Sequence, residues 1–238
     1  MSEQPHTSRQ CRHGCRLWRI DPLARRHASA ECAFAAVGAA WRVRHRECRY
    51  GSGDTPARRE LRIAPLACRR PGCLVRHAND PLVPRGLSER FPHPYTRADG
   101  EAFLAGRVVD LRDPVLAIEI DGQACGTIAV RPGQGERRYS AELGYWIGRT
   151  YWGRGWMTRI VGTYVAWAMQ TRPLYRMQAT VLDRNPASAT VLLRNGFVEE
   201  GVSRCALLKP DGLHDLRVFA RVNPPVAVGV PVCVSAPA

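Results

Sequence analysis

The feature that most constrains the fold is a glycine-rich turn between an apolar strand and a helical segment. Residues 141–157 read AELGYWIGRTYWGRGWM, with the turn at Gly153-Arg154-Gly155 and apolar residues at helical spacing from Trp156 onward. Glycines let a backbone turn tightly and bring its N–H groups close to an anion. The first turn of a helix also leaves N–H donors without internal partners, at the positive end of the helix dipole. The pattern therefore predicts a site for a phosphorylated ligand at residues 150–158.

Length and apolar content restrict the class of protein. The chain has 238 residues, enough for one sizeable domain or one domain with an extension. No apolar run is long enough to span a bilayer, and the N-terminal residues lack the pattern of a secretory signal. We therefore expect a cytoplasmic protein without a membrane partner. Its nine cysteines, an odd number at irregular spacings, are expected to be reduced thiols and to form no metal site.

The formal net charge of +14 is unevenly distributed. Residues 1–98 contain 19 arginines and 8 acidic residues, whereas residues 99–238 are close to balanced. A basic segment can attract nucleic acid. However, Lys209 is the only lysine, and so strong an arginine bias is typical of genomic base composition. Because the basic segment also lacks interleaved aromatic residues and helical patterning, nucleic-acid binding is the less favoured alternative.

Periodicity divides the chain into three parts. Residues 1–60 show no sustained period and are interpreted as a poorly ordered, Arg- and Cys-rich extension; residues 61–222 form the domain; residues 223–238 form a loose tail. Within the domain the sequence predicts helices at residues 71–79, 97–107, 158–170 and from 186 to a cap at Gly196. It predicts strands at residues 115–120, 123–130, 140–148, 177–182, 197–204 and 213–222, with a weaker first strand from Leu61. This order indicates a mixed α/β architecture with one sheet and helices packed on its faces.

Four segments occur together in a characteristic order. They are HANDPLVPRGLSERFPHPYT from His77, AELGYWIGRTYWGRGW from Ala141, LDRNPASATVLLRNGFVEEG from Leu182 and LLKPDGLHDLRVFARV from Leu207. With these segments the chain resembles the GNAT superfamily of acyl-CoA-dependent N-acetyltransferases, and within it the RimJ/RimL-type branch that acetylates the N-termini of ribosomal proteins. The resemblance implies a mostly antiparallel sheet, splayed between its fourth and fifth strands, with helices on both faces.

The resemblance also implies acetyl-CoA as co-substrate, with the pantetheine arm along residues 143–147 and the pyrophosphate on the glycine turn. The chain departs from the family at Thr150, where Gln or Arg is usual, and at Arg159, where the branch favours Glu. The first strand, from Leu61, is the weakest match. The cofactor contacts carried over are Leu143, Tyr145, Trp146, Ile147, Thr150, Trp152, Gly153, Arg154, Gly155, Trp156, Met157, Asn185 and Ser188.

Acetyl transfer to an amine needs a proton acceptor, a polarised carbonyl and a proton donor. Glu142 is the candidate base; it could instead attract a cationic substrate, or merely pair with an arginine. Ser188 is the candidate acid, although Asn185 and Ser188 also fit a helix cap, and Tyr139 and Tyr145 are weaker acid candidates. The N–H of Trp146 or Ile147 is the candidate oxyanion donor, if Gly144 permits a bulge; close packing would explain that glycine equally well.

The acceptor side is expected around Phe91, His93 and Tyr95, in a proline-stiffened loop, together with Glu142. The amine could be a protein N-terminus or a small molecule, and the protein could be a monomer or a homodimer. Two other functions stay open: a CoA-binding module without catalysis, and nucleic-acid binding through residues 1–60.

Overall fold

The computed structural model describes residues 41–43, 61–65, 71–88 and 90–223. Its strands are β1 Trp41–Val43, β2 Leu61–Pro65, β3 Val115–Ile120, β4 Gln123–Pro132, β5 Ser140–Ile147, β6 Arg176–Leu182, β7 Val198–Lys209 and β8 Gly212–Val222. Its helices are α1 Pro71–Ala78, α2 Arg97–Leu104, α3 Trp156–Thr171 and α4 Pro186–Arg194. The extension and the tail expected from the sequence lie outside the described residues, except for β1, which the sequence analysis did not expect.

The described strands form one sheet in the order β1-β2-β3-β4-β5-β6-β8-β7. Every neighbouring pair is antiparallel except β5 and β6, which are parallel. The predicted mixed α/β architecture is confirmed. The weakly predicted first strand is also confirmed: β2 pairs with β3 along its whole length, and its Leu61 and Ile63 are buried.

The parallel pair is short, and this creates the opening that defines the fold. The register joins Ser140–Glu142 of β5 only to Arg176–Gln178 of β6. Beyond these residues the two strands diverge. Counted from Leu61, β5 and β6 are the fourth and fifth strands, so the predicted splay is confirmed.

Local sequence signals account for the element boundaries. Asp121 and Gly122 both have positive φ, 53° and 76°, as a two-residue hairpin turn between β3 and β4 requires. Thr96 caps α2 in a capping box with Asp99, and the Asn185 side chain caps α4. The predicted cap at Gly196 is confirmed by its φ of 76°.

Helices cover both faces of the sheet. The apolar face predicted for α3 is buried in a continuous core with β2–β6, β8 and α4. On the opposite face Phe103 and Leu104 of α2 pack against Val115 and Ala117 of β3. Burial of each large aliphatic side chain contributes about 1.5–3 kcal/mol, so this core stabilises the sheet from which the site is built. None of the described helices is long and apolar enough to cross a membrane.

Candidate functional site

The glycine turn presents the start of α3 to solvent. Gly153 and Gly155 have φ values of 69° and 71°, which side chains rarely adopt. Gly155 is the N-cap of α3, no side chain caps the helix, and its first turn carries no acidic residue. A Cβ atom on Gly153 would meet nothing within 4 Å. The positive end of a 16-residue helix is therefore available to an anion.

Arginine reinforces this positive end. The Arg159 side chain donates to the carbonyl oxygens of Arg154, at 3.1 Å, and of Gly155, at 3.3 Å, and its guanidinium lies 4.7 Å from the centre of the Trp156 ring. Arg154 is exposed within the turn. The residue at position 159, a departure from the family, thus braces the turn and adds positive charge near it.

The cofactor contacts expected after β5 divide into exposed and buried residues. Thr150 and Trp152 are exposed, and the Trp152 indole donates to the carbonyl of Ile147 at 2.7 Å. Trp156 and Met157 are buried in the core. At these two positions only the backbone faces the turn.

The backbone of β5 supplies hydrogen-bonding groups to the opening. At its two ends, Gly133 N–H bonds Ser140 O and Gly148 N–H bonds Cys125 O. In an antiparallel pair, successive residues point their backbone N–H and C=O groups alternately towards the partner strand and away from it. The even-numbered residues of β5 therefore direct these groups to β4. The N–H groups of Leu143, Tyr145 and Ile147 point the other way, towards the opening. Of the two expected oxyanion donors, Ile147 has the required orientation, whereas the N–H of Trp146 belongs to the β4 ladder.

The prediction of a bulge at Gly144 is wrong. The register between β4 and β5 runs without a shift from Ala141 to Ile147. Close packing does not explain this glycine either, because a Cβ atom there would meet nothing within 4 Å. The close approach occurs instead at Gly126 on β4, which pairs with Ile147; a Cβ atom there would lie 2.3 Å from the carbonyl oxygen of Trp146.

Two hydroxyl groups meet between β5 and α4. The Tyr145 hydroxyl lies 2.8 Å from Ser188 Oγ and 3.3 Å from the Ser188 carbonyl oxygen. Burial raises the pKa of Tyr145 to about 12, which keeps the phenol protonated at neutral pH. Asn185 Oδ1 accepts from Ser188 N–H at 3.1 Å, so the expected cap is confirmed. The first turn of α4 thus places Ser188 against the splayed part of β5.

The other face of β5 carries Glu142, Gly144 and Trp146, because side chains alternate along a strand. Glu142 forms a salt bridge with Arg131 on β4. Pairing with an arginine is the alternative to a role of Glu142 as base. The space above Gly144 is open. On this face, the carboxylate of Glu142 and the ring of Trp146 therefore lie on either side of the open space above Gly144.

The proline-rich loop closes over one end of this face. The Phe91 ring lies 5.2 Å from Trp146 in an edge-on arrangement and 5.0 Å from Tyr95. Tyr95 is buried, and its N–H bonds Asn79 Oδ1. His93 is exposed, and within the described residues it makes no hydrogen bond, ion pair or ring contact with this face. The structure brings Phe91 and Tyr95 to β5, and leaves His93 on the outside of the loop.

One residue near the site was missed by the sequence analysis. The His77 ring lies 5.6 Å from Tyr151, and a Cβ atom on Gly148 would be 2.6 Å from its Nδ1. Its Nε2 is buried and has no hydrogen-bond partner in the described part of the chain. Burial, with a smaller effect of Arg76, lowers the pKa of His77. The tight fit against a glycine has no local sequence signal, because the two residues lie on separate elements.

Comparison with known proteins agrees with this geometry. The family model described as acetyltransferase (GNAT) domain matches residues 69–198. The ribosomal-protein-serine acetyltransferase of Escherichia coli K12 is 31% identical over 83 residues, which are 35% of this chain and 46% of that protein. The chain spans about half the length of the curated relatives it matches.

Solved structures share the fold at lower identity. A GNAT-family acetyltransferase from Bacillus anthracis has a TM-score of 0.59 and 17% identity, covering 68% of this chain and 94% of that one. The ribosomal L7/L12 alpha-N-protein acetyltransferase RimL, in complex with coenzyme A, has a TM-score of 0.58 and 17% identity with the same coverage. The fold, the splayed strands and the family model, which matches more than half of the residues, together show that this chain belongs to the GNAT acetyltransferase family.

Proposed function

We propose that this protein is an acetyl-CoA-dependent N-acetyltransferase that moves an acetyl group to a primary amine. The observation that carries the proposal is the divergence of β5 and β6 directly before the open glycine turn. The divergence leaves a row of strand N–H groups beside an anion site. A ligand with a phosphate end and an amide-containing arm fits this arrangement. A site for phosphate alone would not require the row of strand N–H groups.

The residues present fit acetyl-CoA in charge and in shape. The turn at Gly153–Gly155 and the start of α3 would hold the pyrophosphate, with Arg154 and Arg159 adding positive charge. The N–H and C=O groups of Leu143 and Tyr145 would pair with the amides of the pantetheine arm. Asn185 and Ser188 would lie beside the sulfur end of that arm. Acetyl-CoA would supply an activated acetyl thioester.

The chain's own groups would then carry the polar steps. Ile147 lies between the turn and Tyr145, so its N–H would meet the arm near the pyrophosphate. The N–H groups at the far end of the splayed part of β5 would stabilise negative charge on the thioester carbonyl oxygen. The Ser188 hydroxyl would give a proton to a departing thiolate. Glu142, on the other face of β5, would receive the amine, either by taking its proton, directly or through water, or by attracting its positive charge.

The acceptor is proposed as a primary amine at a protein N-terminus, with a small-molecule amine as the alternative. The relative that acetylates a ribosomal-protein serine supports the first choice. The open position above Gly144, next to Glu142, would admit the amine. A panel that includes peptides with Ser or Ala at the N-terminus, a polyamine, an amino acid and an aminoglycoside separates these classes.

The test is acetyl-CoA consumption with this panel, together with a direct titration of acetyl-CoA. Gly155→Val should weaken acetyl-CoA binding by about tenfold or more, because valine cannot adopt the φ of 71° without strain. The matched control is Gly135→Val, which imposes similar strain at a φ of 57° in an exposed turn after β4.

The outcomes distinguish the alternatives. The proposal is supported if the wild type binds acetyl-CoA and turns it over, if Gly155→Val loses both properties, and if Gly135→Val keeps both. Binding without turnover on any amine identifies a non-catalytic CoA-binding module. Equal affinity in both variants and in the wild type would show that the turn holds no phosphate.

A further inference from the structure

The only lysine of the chain joins the tip of the β7–β8 hairpin to the loop between α1 and α2. Lys209 is the last residue of β7, and only 9% of it is exposed. Its ammonium donates to the carbonyl oxygen of Leu87 and lies 3.5 Å from that of Pro84. Pro84 is the first residue of the short 3-10 turn Pro84–Gly86, and Leu87 directly follows that turn. The hairpin therefore holds the loop through a buried charged group.

Such a contact is costly to break. A buried ammonium must keep its hydrogen bonds, since an unsatisfied charge away from water is strongly unfavourable. Two of its contacts are with carbonyl oxygens of one turn, and they persist only while that turn keeps its position. The contact thus restrains the position of the loop.

The restrained turn also touches the start of α4. A Cβ atom on Gly86 would lie 2.6 Å from Asn185 Nδ2. Asn185 in turn accepts the N–H of Ser188. On the other side of the turn the chain continues to Phe91, whose ring packs on Trp146. The turn therefore stands between the hairpin, the first turn of α4 and the open face of β5.

We propose that Lys209 is a positioning residue of the acceptor side: its ammonium clasps the turn at residues 84–87 to the hairpin and thereby keeps Phe91 over Trp146. The role rests on the proposed function, because it concerns the binding of the amine. The clasp acts on the face of β5 that carries Glu142, away from the glycine turn. Although the turn touches Asn185, that side chain is held independently by its hydrogen bond from Ser188 N–H. Loss of the clasp should therefore affect the amine more than acetyl-CoA.

The clasp itself is tested by hydrogen exchange on the full chain without ligand. In Lys209→Met we expect the amides of residues 82–91 to exchange at least about tenfold faster, while amides of β3 and β4 keep their rates. Lys209→Arg, which retains a cationic donor, should restore much of the protection. Arg204→Met, which removes one positive charge at an exposed position of the same strand, should change nothing. Unchanged exchange in Lys209→Met, or a uniform increase over the whole domain, would overturn the clasp.

The positioning role is tested by steady-state kinetics with the amine that supports turnover. Lys209→Met should raise KM for the amine by about fivefold or more, with KM for acetyl-CoA within about twofold and with recovery in Lys209→Arg. A lower kcat with an unchanged KM for the amine would overturn the role. If no amine supports turnover, the proposed function fails, whereas the hydrogen-exchange result still decides whether the clasp exists.

Discussion

At the scale of single residues, the contact between Tyr145 and Ser188 links the two sides of the opening. Tyr145 extends from the splayed part of β5, and Ser188 lies in the first turn of α4. Because burial raises the pKa of Tyr145 to about 12, the phenol stays a hydrogen-bond donor at neutral pH. The proposed role of Ser188 as acid requires that its hydroxyl accept the phenol proton, because its own proton then points into the opening.

The first prediction follows from this pair. Tyr145→Phe should lower kcat by about tenfold, because Ser188 loses the partner that orients it, while the dissociation constant of acetyl-CoA stays within about twofold. Ser188→Ala should lower kcat by a similar factor. The double variant should be no worse than either single one, since both changes remove the same arrangement. Multiplied losses in the double variant would show that the two hydroxyls act independently.

Glu142 and Arg131 give a second prediction. Glu142→Gln keeps the shape of the side chain and removes its charge, so turnover should fall by about 10-fold to 100-fold while acetyl-CoA affinity is retained. Arg131→Gln is the matched control, because it removes the other half of the same salt bridge. It should retain clearly more activity than Glu142→Gln. Equal losses in the two variants would mean that the ion pair matters only for the structure of β4 and β5.

At the scale of elements, the sequence predicts features that depend on neighbouring residues and does not predict those that depend on residues far apart in the chain. The hairpin at Asp121-Gly122, the buried face of α3 and the cap at Asn185 depend on residues close in sequence, and each was predicted correctly. The family resemblance added the splay between β5 and β6, which no local pattern encodes.

What the sequence could not predict depends on residues far apart in the chain. The Lys209 contact spans 122 residues to Leu87, and the hydroxyl pair spans 43. Gly144 was misread because a glycine in a strand fits either a bulge or a close approach, and only the facing strand decides. Here the close approach falls on Gly126 instead. β1, with only three residues, was too short to show a period.

The packing of α1 against the connection between β5 and α3 gives a prediction about pH. His77 has a lowered pKa because of burial, so the unfolded chain binds a proton more readily than the folded one. Its contribution to stability is therefore present above the ordinary pKa of about 6.5 and is lost as the pH falls below that value. In His77→Phe, which keeps an aromatic ring and cannot titrate, the free energy of unfolding should decrease less between about pH 7 and pH 5.5.

Urea unfolding at several pH values measures this difference. The carboxyl groups whose pKa is lowered by ion pairs, such as Glu199 and Glu200, titrate at lower pH and contribute equally in both proteins. Parallel curves for wild type and variant over this range would show that His77 stays uncharged in both states or charged in both.

At the scale of the whole molecule, the opening is part of the core. The main cluster of buried residues runs from Leu61 in β2 to Phe219 in β8, and Leu143 and Ile147 beside the opening belong to it. The site is therefore built on the packed sheet itself. We propose that residues 61–222 suffice for the chemistry, because every side chain assigned to the site lies within them.

A pair of fragments tests this proposed domain boundary. Residues 61–223 contain every side chain assigned to the site, so this fragment should bind acetyl-CoA with the affinity of the full chain. A fragment of residues 36–223 adds β1, which pairs with β2 through Trp41↔Ile63, Arg42↔Arg62 and Val43↔Leu61. Each backbone hydrogen bond in that pairing contributes about 1 kcal/mol, and 1 kcal/mol corresponds to about 2–4 °C in a domain of this size. The longer fragment should therefore unfold at a midpoint several degrees higher in a thermal melt, at equal affinity. Equal midpoints would show that β1 adds nothing to the sheet, and weaker binding by the shorter fragment would place part of the site before residue 61.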